Sequence, residues 1–308
     1  MDFQYEHQEL ERRFAAFFTG RDYRRLDGVA ITSGVDPSVY LTNSATNLFK
    51  PHIGQPDVRL FAMQRSMRTQ NLNDYYSERT ETEYPTCFTS YGAYASIDRF
   101  QTLAVDSVEF FLSIGFQTAN MRVRVCPTDS LLFAAISNSA LKDRLEVDSR
   151  PEKYGHQYGS ELTGRAIKID CFQEWGKKYK NLAYILIICR DGVPAGAELA
   201  TSDQLILMRL YNRRYAVSAS KIADMLPMET FAQRRFADSI VGASNLLYEG
   251  VRPNSSNTNG RTLKKYLQAL KYFGTLLCYS EQDCADLIDT YITKEYGKEQ
   301  TPYKRPEK

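Results

Sequence analysis

The stretch Leu182-Ala-Tyr-Ile-Leu-Ile-Ile-Cys189 is apolar at nearly every position. A strand that carries apolar side chains on both faces is buried on both faces, so this stretch predicts a central strand of a sheet. Earlier in the chain, the alternation of Met121-Arg-Val-Arg-Val125 is typical of a half-buried antiparallel strand. The remaining predicted strands are Tyr40–Thr42, Arg59–Met63, Cys87–Tyr94 and Ala166–Asp170.

Apolar residues at helical spacing predict helices among and after these strands. In the first part of the chain they are predicted over residues 8–26, 97–114 and 131–141, and another begins at Leu205. From about residue 219 the pattern is helical only. This order predicts an α+β core over residues 1–220, a small all-helical domain over 221–295, and a disordered tail over 296–308.

The composition excludes several classes of protein. The chain has 308 residues, of which 43% are hydrophobic and 25% charged, which is ordinary for a globular protein. Its net charge is only +2, so any contact with RNA must come from a local basic patch. No apolar run is long enough to span a membrane, and residues 1–20 are charged from Asp2 onward. The expectation is a cytoplasmic protein without a membrane partner.

Cysteine and histidine usage does not favour a metal site. The six cysteines form no Cys-x-x-Cys pair, and the chain has only three histidines. A zinc site would need distant ligands to converge, without the short ligand spacing that marks such sites. No metal ligands are therefore assigned.

Two segments that lie far apart in the chain carry a family resemblance. The first is Asp36-Pro-Ser-Val-Tyr-Leu-Thr-Asn-Ser-Ala-Thr-Asn-Leu-Phe-Lys-Pro-His-Ile-Gly54, and the second is Asp238-Ser-Ile-Val-Gly-Ala-Ser-Asn-Leu-Leu-Tyr-Glu-Gly-Val-Arg-Pro253. The first resembles motif 1 of the alanyl-tRNA synthetases, and the second resembles the start of the helices that read the tRNA acceptor stem in that family. The positions that match motif 1 are Asp36, Pro37, Leu41, Thr42, Asn43, Phe49, Lys50 and Gly54.

The resemblance covers about residues 8–292 and includes no counterpart of the family's editing and C-terminal domains. It implies a class II synthetase-like antiparallel sheet flanked by helices, followed by a small all-helical domain. Since the family's cores commonly associate through motif 1, it also leaves a homodimer open.

Motif 2 of the family supplies the first candidate nucleotide-binding residues. The matching segments are Gln64-Arg-Ser-Met-Arg68, Asn73-Asp74 and Thr86-Cys-Phe-Thr-Ser-Tyr-Gly92. The resemblance implies that Arg68 clamps the α-phosphate of ATP, where a fixed guanidinium offsets the charge that develops during adenylation. It also implies that Phe88 lies under the adenine, and it places Asn73 and Asp74 in the ATP site. Thr89 stands where the family has a glutamate.

Motif 3 is matched more loosely by Ser202-Asp-Gln-Leu-Ile-Leu-Met-Arg209. The resemblance implies that Arg209 sandwiches the adenine and, with Arg68, forms the catalytic pair. Gln204 and Ile206 replace two glycines that let the backbone approach the nucleotide, so their side chains would crowd the site.

Three residues resemble parts of the family's amino-acid pocket. Asp203 could replace the aspartate that binds the substrate amine, although it is displaced by one position. Asp170 matches a family aspartate, whereas Ala166 replaces the glutamate before it. Tyr154 or Lys153 falls near the tryptophan that covers the pocket. Because this pocket is altered, alanine is a poor candidate for the substrate.

The helical segment resembles the acceptor-reading region through Glu249-Gly-Val-Arg-Pro-Asn-Ser255 and Gly260-Arg261. The resemblance implies tRNA as a partner. An insertion in the loop leaves open which asparagine would read a base. The implied tRNA-binding residues are Asn254, Asn257, Asn259, Arg261, Lys264 and Lys265.

Two functional hypotheses follow from the resemblance. In the first, the protein uses ATP and Mg²⁺ to activate an amino acid or related carboxylate and transfers it to tRNA or another acceptor. In the second, it is a catalytically silent paralogue that binds tRNA or aminoacyl-tRNA or serves as a partner subunit. The retained arginines favour the first hypothesis by a small margin, and the lost acidic residues favour the second because Mg²⁺ needs carboxylates. An unrelated α+β protein is the third alternative.

Overall fold

The computed structural model describes residues 2–70, 72–78, 85–126, 129–158 and 161–297. The helices in these ranges are α1 (Phe3–Thr19), α2 (Thr46–Phe49), α3 (Phe100–Ser113), α4 (Ser130–Ile136), α5 (Asp203–Leu210), α6 (Phe231–Tyr248), α7 (Thr258–Leu276) and α8 (Glu281–Tyr296). The strands are β1 (Arg24–Leu26), β2 (Arg59–Met67), β3 (Cys87–Ala95), β4 (Met121–Val125), β5 (Leu145–Val147), β6 (Gly155–Tyr158), β7 (Leu162–Gln173), β8 (Lys178–Arg190) and β9 (Val193–Ser202).

The strands form one mixed, mainly antiparallel sheet in the order β1-β2-β3-β9-β8-β7-β4-β5, with β6 paired to β7. Only the edge pairs β1–β2 and β4–β5 are parallel. Strand β8 lies between β7 and β9, which confirms the central position predicted from its apolar sequence. The predicted architecture, a sheet flanked by helices and followed by a helical region, is confirmed.

One face of the sheet packs against α1, α3, α4 and α5 and holds the main hydrophobic core. An aromatic cluster centres on Phe14 of α1, whose ring lies 4.7 Å from Phe18, 4.7 Å from Tyr91 and 5.1 Å from Phe110, between centroids. Aromatic rings in such tilted and edge-on contacts add to the free energy of burial. The helices on this face leave the opposite face of the sheet for the candidate site.

The helical region α6–α8 has its own core and is joined to the sheet by hydrogen bonds. The carboxylate of Asp238 in α6 accepts bonds from Tyr75 Oη at 2.7 Å and from Thr86 N and Oγ1 at 3.0 and 2.6 Å. At the other end of the region, Glu295 of α8 pairs with Arg65 of β2 at 2.8 Å. The helical region is thus fixed to the strands that carry motif 2.

Several boundaries differ from the predictions. Helix α1 begins at Phe3, because the side chain of Asp2 caps it by accepting from Tyr5 N, and it ends at Thr19 rather than near residue 26. The predicted strand at Tyr40–Thr42 is wrong, because Tyr40 and Leu41 form bends and Thr42 has no regular secondary structure. Strand β9 was not predicted. The domain boundaries remain predictions; α8 runs to Tyr296, and residues 298–308 of the predicted tail lie outside the described part of the chain.

Candidate functional site

A cavity of about 500 Å³ lies on the face of the sheet opposite the main core. We call it the sheet cavity. Its floor comes from β3, β8 and β9, whose alternate side chains point to this face, and its wall comes from the segment 38–50. The floor residues include Phe88, Ser90, Tyr184, Leu186, Ala200 and Ser202.

The sheet cavity brings two of the predicted nucleotide-binding residues together. Arg68 and Phe88 both line it, and the guanidinium carbon of Arg68 lies 5.0 Å from the centroid of the Phe88 ring. This is a cation–π contact, which holds the arginine over the strand. The backbone of Arg68 donates to the carbonyl of Thr86 at 2.9 Å, so the two antiparallel strands of motif 2 set its position.

Arg209, the second predicted catalytic arginine, is only 3% exposed and does not line the sheet cavity. Its Nε donates to the carbonyl of Asn181 at 2.9 Å, and its own carbonyl accepts from Gln173 at 3.2 Å. Asn181 does line the cavity, so Arg209 contacts a lining residue without lining the cavity itself. The structure therefore does not bring Arg68 and Arg209 into one binding surface.

Asp203, the predicted partner of a substrate amine, faces the helix side of the sheet. Its carboxylate accepts from His7 Nδ1 of α1 at 3.0 Å and from the backbone of Thr89 and Gln204 at 3.0 and 2.6 Å. Burial opposes ionisation of this group, but His7 and the two amides outweigh it and lower the pKa of Asp203. The carboxylate is thus ionised and already engaged.

Asp170, the second predicted pocket carboxylate, is fully buried between two guanidinium groups of β4. It accepts from Arg122 Nε at 3.0 Å and from Arg124 Nε and Nη2 at 2.6 and 3.1 Å. Tyr154 is also buried, and its ring lies 5.1 Å below the ammonium of Lys168. None of these residues lines the sheet cavity.

Asn73 and Asp74 lie beside the helical region rather than in the sheet cavity. The side-chain oxygen of Asn73 accepts from Lys265 of α7 at 3.0 Å. A predicted ATP-binding residue is therefore next to a predicted tRNA-binding lysine. This contact connects the segment after β2 with the surface of α7.

Sequence reasoning missed three polar residues of the sheet cavity and its wall. Thr46 lines the cavity, and Glu198 lies behind it with its carboxyl oxygens 2.8 and 3.0 Å from Thr46 Oγ1. Burial raises the pKa of Glu198 to about 8. His156 also lines the cavity; burial and then Lys168 lower its pKa, and its Nε2 has no hydrogen-bond partner in the described residues. Recognition of β9 as a strand would have placed Glu198 on this face by alternation.

A second hollow, of about 590 Å³, lies at the loop between α6 and α7, and we call it the loop hollow. It brings together four of the six predicted tRNA-binding residues. The remaining two, Lys264 and Lys265, are exposed on the adjacent face of α7. The predicted residues that line the loop hollow are Asn254, Asn257, Asn259 and Arg261.

The three asparagines of the loop hollow differ in what their side chains contact. The side-chain oxygen of Asn254 accepts from the backbone of Ser256 and Asn257 at 3.0 and 3.2 Å. That of Asn257 caps α7 by accepting from Gly260 N at 2.7 Å. Both oxygens shape the loop, whereas the structure shows no such bond for the side chain of Asn259 among the described residues.

The two hollows are connected by one segment of motif 1. Ser38 and Val39 line the sheet cavity, and Tyr40, which is 77% exposed, lines the loop hollow. The segment is held by Asp36, whose carboxylate pairs with Lys50 at 2.6 Å and accepts from Asn47 at 2.6 Å.

The lining of the sheet cavity fits a nucleotide only in part. Its described charged residues are Lys50 and Arg68, and no carboxylate is among them. Arg68 and Phe88 can hold a phosphate and a base, but Mg²⁺ prefers carboxylate oxygens, and the described lining offers none. Throughout the described ranges, no cluster of three His, Cys, Asp or Glu side chains has a geometry that could hold a metal.

No protein-family model matches the chain. Over 111 residues, 35% of the chain, it is 32% identical to an alanine–tRNA ligase of Rubrobacter xylanophilus. The resemblance to alanyl-tRNA synthetases is confirmed over this segment. The synthetase-like chain spans only 12% of the length of that relative.

Two solved structures are similar to the chain at low identity. One is the RNA-binding domain of a threonyl-tRNA synthetase from Cryptosporidium parvum, with a TM-score of 0.43, 12% identity, and coverage of 68% of this chain and 65% of that one. The other is a histidyl-tRNA synthetase of S. aureus, with a TM-score of 0.43, 12% identity, and coverage of 87% and 85%. Within the described part of the synthetase-like chain, no helix is long and apolar enough to cross a membrane.

Proposed function

We propose that this synthetase-like chain binds the acceptor end of a tRNA and does not activate an amino acid. The observation that carries the proposal is the position of Asp203, expected to bind a substrate amine, and of Asp170, the second carboxylate expected in the amino-acid pocket. Asp203 is bonded to His7 on the helix side of the sheet, and Asp170 is held between two arginines.

An amino acid carries an ammonium group, and a buried ammonium needs a carboxylate or several hydrogen-bond acceptors to offset the loss of water. The described lining of the sheet cavity contains cationic side chains and no carboxylate. Lys50 is already paired with Asp36 at 2.6 Å, so the described lining offers an ammonium no carboxylate that is available to it. The described lining also gives Mg²⁺ no carboxylate ligand, which disfavours the Mg²⁺-dependent binding of ATP that adenylation requires.

The surface at the loop hollow suits an RNA backbone and an unpaired base. Arg261, Lys264 and Lys265 are exposed cations along the first turns of α7. Cations of this kind bind phosphates without regard to sequence, whereas an asparagine amide can read a base edge. We assign that role to Asn259, because the side-chain oxygens of Asn254 and Asn257 accept backbone hydrogen bonds that hold the loop. The Rubrobacter relative is a ligase that acts on tRNA, which supports tRNA as the partner.

The second candidate function is ATP-dependent activation of an unusual amino acid or related carboxylate. The contact between Arg68 and Phe88 in the sheet cavity favours it, because both residues could hold a nucleotide. The buried position of Arg209 and the engaged carboxylates disfavour it.

One experiment separates the two functions. Pyrophosphate exchange is measured across the common amino acids, with and without tRNA, and tRNA binding is measured by fluorescence anisotropy over a range of salt concentrations. We expect no exchange and an affinity for tRNA that falls steeply with salt. Exchange with any amino acid would establish the ligase instead, and the absence of both exchange and tRNA binding would refute the proposal.

A further inference from the structure

The wall of the sheet cavity contains a hydroxyl group backed by a buried carboxyl group. Thr46 lines the cavity, and its Oγ1 lies 2.8 and 3.0 Å from the two carboxyl oxygens of Glu198. Glu198 is only 1% exposed and lies in β9, between Tyr94 of β3 and Leu186 of β8 in the strand register. The carboxyl group therefore reaches the cavity through Thr46.

A threonine hydroxyl has one proton and two lone pairs, so the charge of Glu198 decides what Thr46 offers to the cavity. An ionised Glu198 accepts the only proton of Thr46, which then turns a lone pair towards the cavity. A protonated Glu198 can donate its own proton to Thr46 Oγ1. The proton of Thr46 then becomes available to a ligand.

We propose that Thr46, supported by a protonated Glu198, donates a hydrogen bond to an anionic phosphate or carboxylate oxygen of a ligand in the sheet cavity. The bond from Glu198 to Thr46 and the bond from Thr46 to the ligand form one donor chain. This inference goes beyond tRNA binding, which the surface of α7 carries. It assigns Thr46 to ligand binding and makes Glu198 a positioning residue.

The surroundings of Glu198 favour its protonated form at neutral pH. The titratable groups that face it are Tyr94 of β3 and Tyr158 of β6, and burial raises the pKa of both tyrosines, that of Tyr94 to about 12. The nearby cation Arg190 of β8 acts on Tyr94, and α2 contributes only the hydroxyl of Thr46. Burial raises the pKa of Glu198 to about 8, although the bond that Thr46 donates to the carboxyl group acts to lower it.

The described donors of the cavity suit an anion better than a cation. The described lining includes Lys50 and Arg68 but no Asp or Glu. Lys50 is paired with Asp36 at 2.6 Å, so what the described lining offers an anionic oxygen is hydrogen-bond donors, which include the hydroxyl of Thr46. An ionised Glu198 would weaken this in two ways, since it removes the donated proton and adds a negative charge behind the wall.

The test uses AMP as the probe. Adenosine, which lacks the phosphate group of AMP, is the matched control ligand. Affinities of the full chain are measured by calorimetry between about pH 7.5 and pH 9.5, where the phosphate is fully ionised. Because Glu198 ionises over this range, we expect the affinity for AMP to fall about tenfold as the pH rises, and that for adenosine to stay constant.

Substitutions assign the effect to the donor chain. Thr46→Val should weaken AMP binding about tenfold at pH 7.5 and remove the pH dependence, because the donor is lost. Glu198→Gln should retain the affinity at both pH values, because the amide donates to Thr46 permanently. Thr201→Val is the matched control: Thr201 lines the same cavity, but its hydroxyl donates to the carbonyl of Leu182 at 2.8 Å. Its AMP affinity should equal that of the unmodified chain.

Three results would overturn the inference: an unchanged AMP affinity in Thr46→Val, a Glu198→Gln variant that loses AMP binding at pH 7.5 while folded, or no AMP binding by the unmodified chain at any pH. Folding is checked by circular dichroism, and Thr46→Ser, which keeps the hydroxyl, should bind AMP normally. The affinity for tRNA is measured on the same preparations. Because α7 does not contribute to the sheet cavity, a loss of AMP binding with tRNA binding retained refutes this inference and not the proposed function.

Discussion

Gly92 of β3 is a position where a single methyl group meets fixed neighbours. A Cβ at this position would lie 2.7 Å from the Cβ of Ala45 and 2.8 Å from the ring of Phe49. Both neighbours are fully buried and belong to the segment that walls the sheet cavity. We predict that Gly92→Ala lowers the free energy of unfolding by about 1–3 kcal/mol, measured by urea denaturation. Gly155→Ala is the control, since a Cβ at Gly155 meets no atom within 4 Å and should leave stability unchanged.

Asp203 should contribute stability that depends on pH. Its pKa in the folded chain is lowered, mainly by His7, so its contribution is present above the pKa of an unfolded aspartate and is lost as the pH falls through the folded value. We predict that Asp203→Asn lowers the free energy of unfolding by about 3 kcal/mol near neutral pH. The difference from the unmodified chain should shrink below about pH 4. A difference that stays constant down to the acid transition would contradict the assignment.

At the scale of elements, Asp238 joins α6 to the start of β3. Its carboxylate accepts hydrogen bonds from Tyr75 Oη and from Thr86 N and Oγ1, and all three residues are buried. Loss of the carboxylate leaves buried donors without acceptors. We predict that Asp238→Ala lowers the free energy of unfolding by about 3 kcal/mol, measured by thermal or urea denaturation. Thr86→Val, which removes one of the three donors, should cost clearly less.

The surface of α7 gives a second prediction at this scale. The double variant Arg261→Ala and Lys264→Ala should weaken binding to all tRNAs and reduce the slope of log affinity against log salt by about 2, because two phosphate contacts are lost. Asn259→Ala should instead weaken binding to the preferred tRNA by about 1–3 kcal/mol and others less, because a base contact is lost. The control is Lys271→Ala on the same helix, whose Nζ is paired with Glu281 at 2.7 Å. An effect of Lys271→Ala equal to that of the double variant would refute a local binding surface.

At the scale of the whole molecule, the segment 38–40 connects the sheet cavity with the loop hollow. Asp36 holds this segment. Burial opposes its ionisation, but hydrogen bonds from Lys50, Ser38 and Asn47 lower the pKa of Asp36 to about 2. We predict that Asp36→Asn weakens the binding of both AMP and tRNA, each severalfold, because the segment that lines both hollows loses its anchor.

To check this prediction, Asp36→Asn is compared with variants that alter only one of the two hollows. Thr46→Val should affect AMP binding only, and Arg261→Ala with Lys264→Ala should affect tRNA binding only. If Asp36→Asn changes just one of the two affinities, the segment does not couple the hollows.

The sequence by itself determined those elements whose own residues favour the structure that they form. The unbroken apolar run of β8 predicted a central strand. The resemblance to motif 2 implied one binding site for Arg68 and Phe88, whose side chains are in contact. The sequence did not predict β9, because Pro194, Gly196 and several alanines are weak strand formers. This strand forms because β3 and β8 pair with it on both sides.

Only the tertiary structure decided which face of the sheet each polar residue occupies. Asp203 follows β9 at the start of α5, and its carboxylate contacts His7 of α1 on the helix side of the sheet. Arg209, on the same helix, contacts the carbonyl of Asn181 in β8. Glu198, only a few residues earlier in β9, points to the opposite face, where its carboxyl group contacts Thr46 of the cavity wall. The physical reason is that a strand alternates its side chains between two faces, and the register that sets the alternation depends on neighbours distant in the chain.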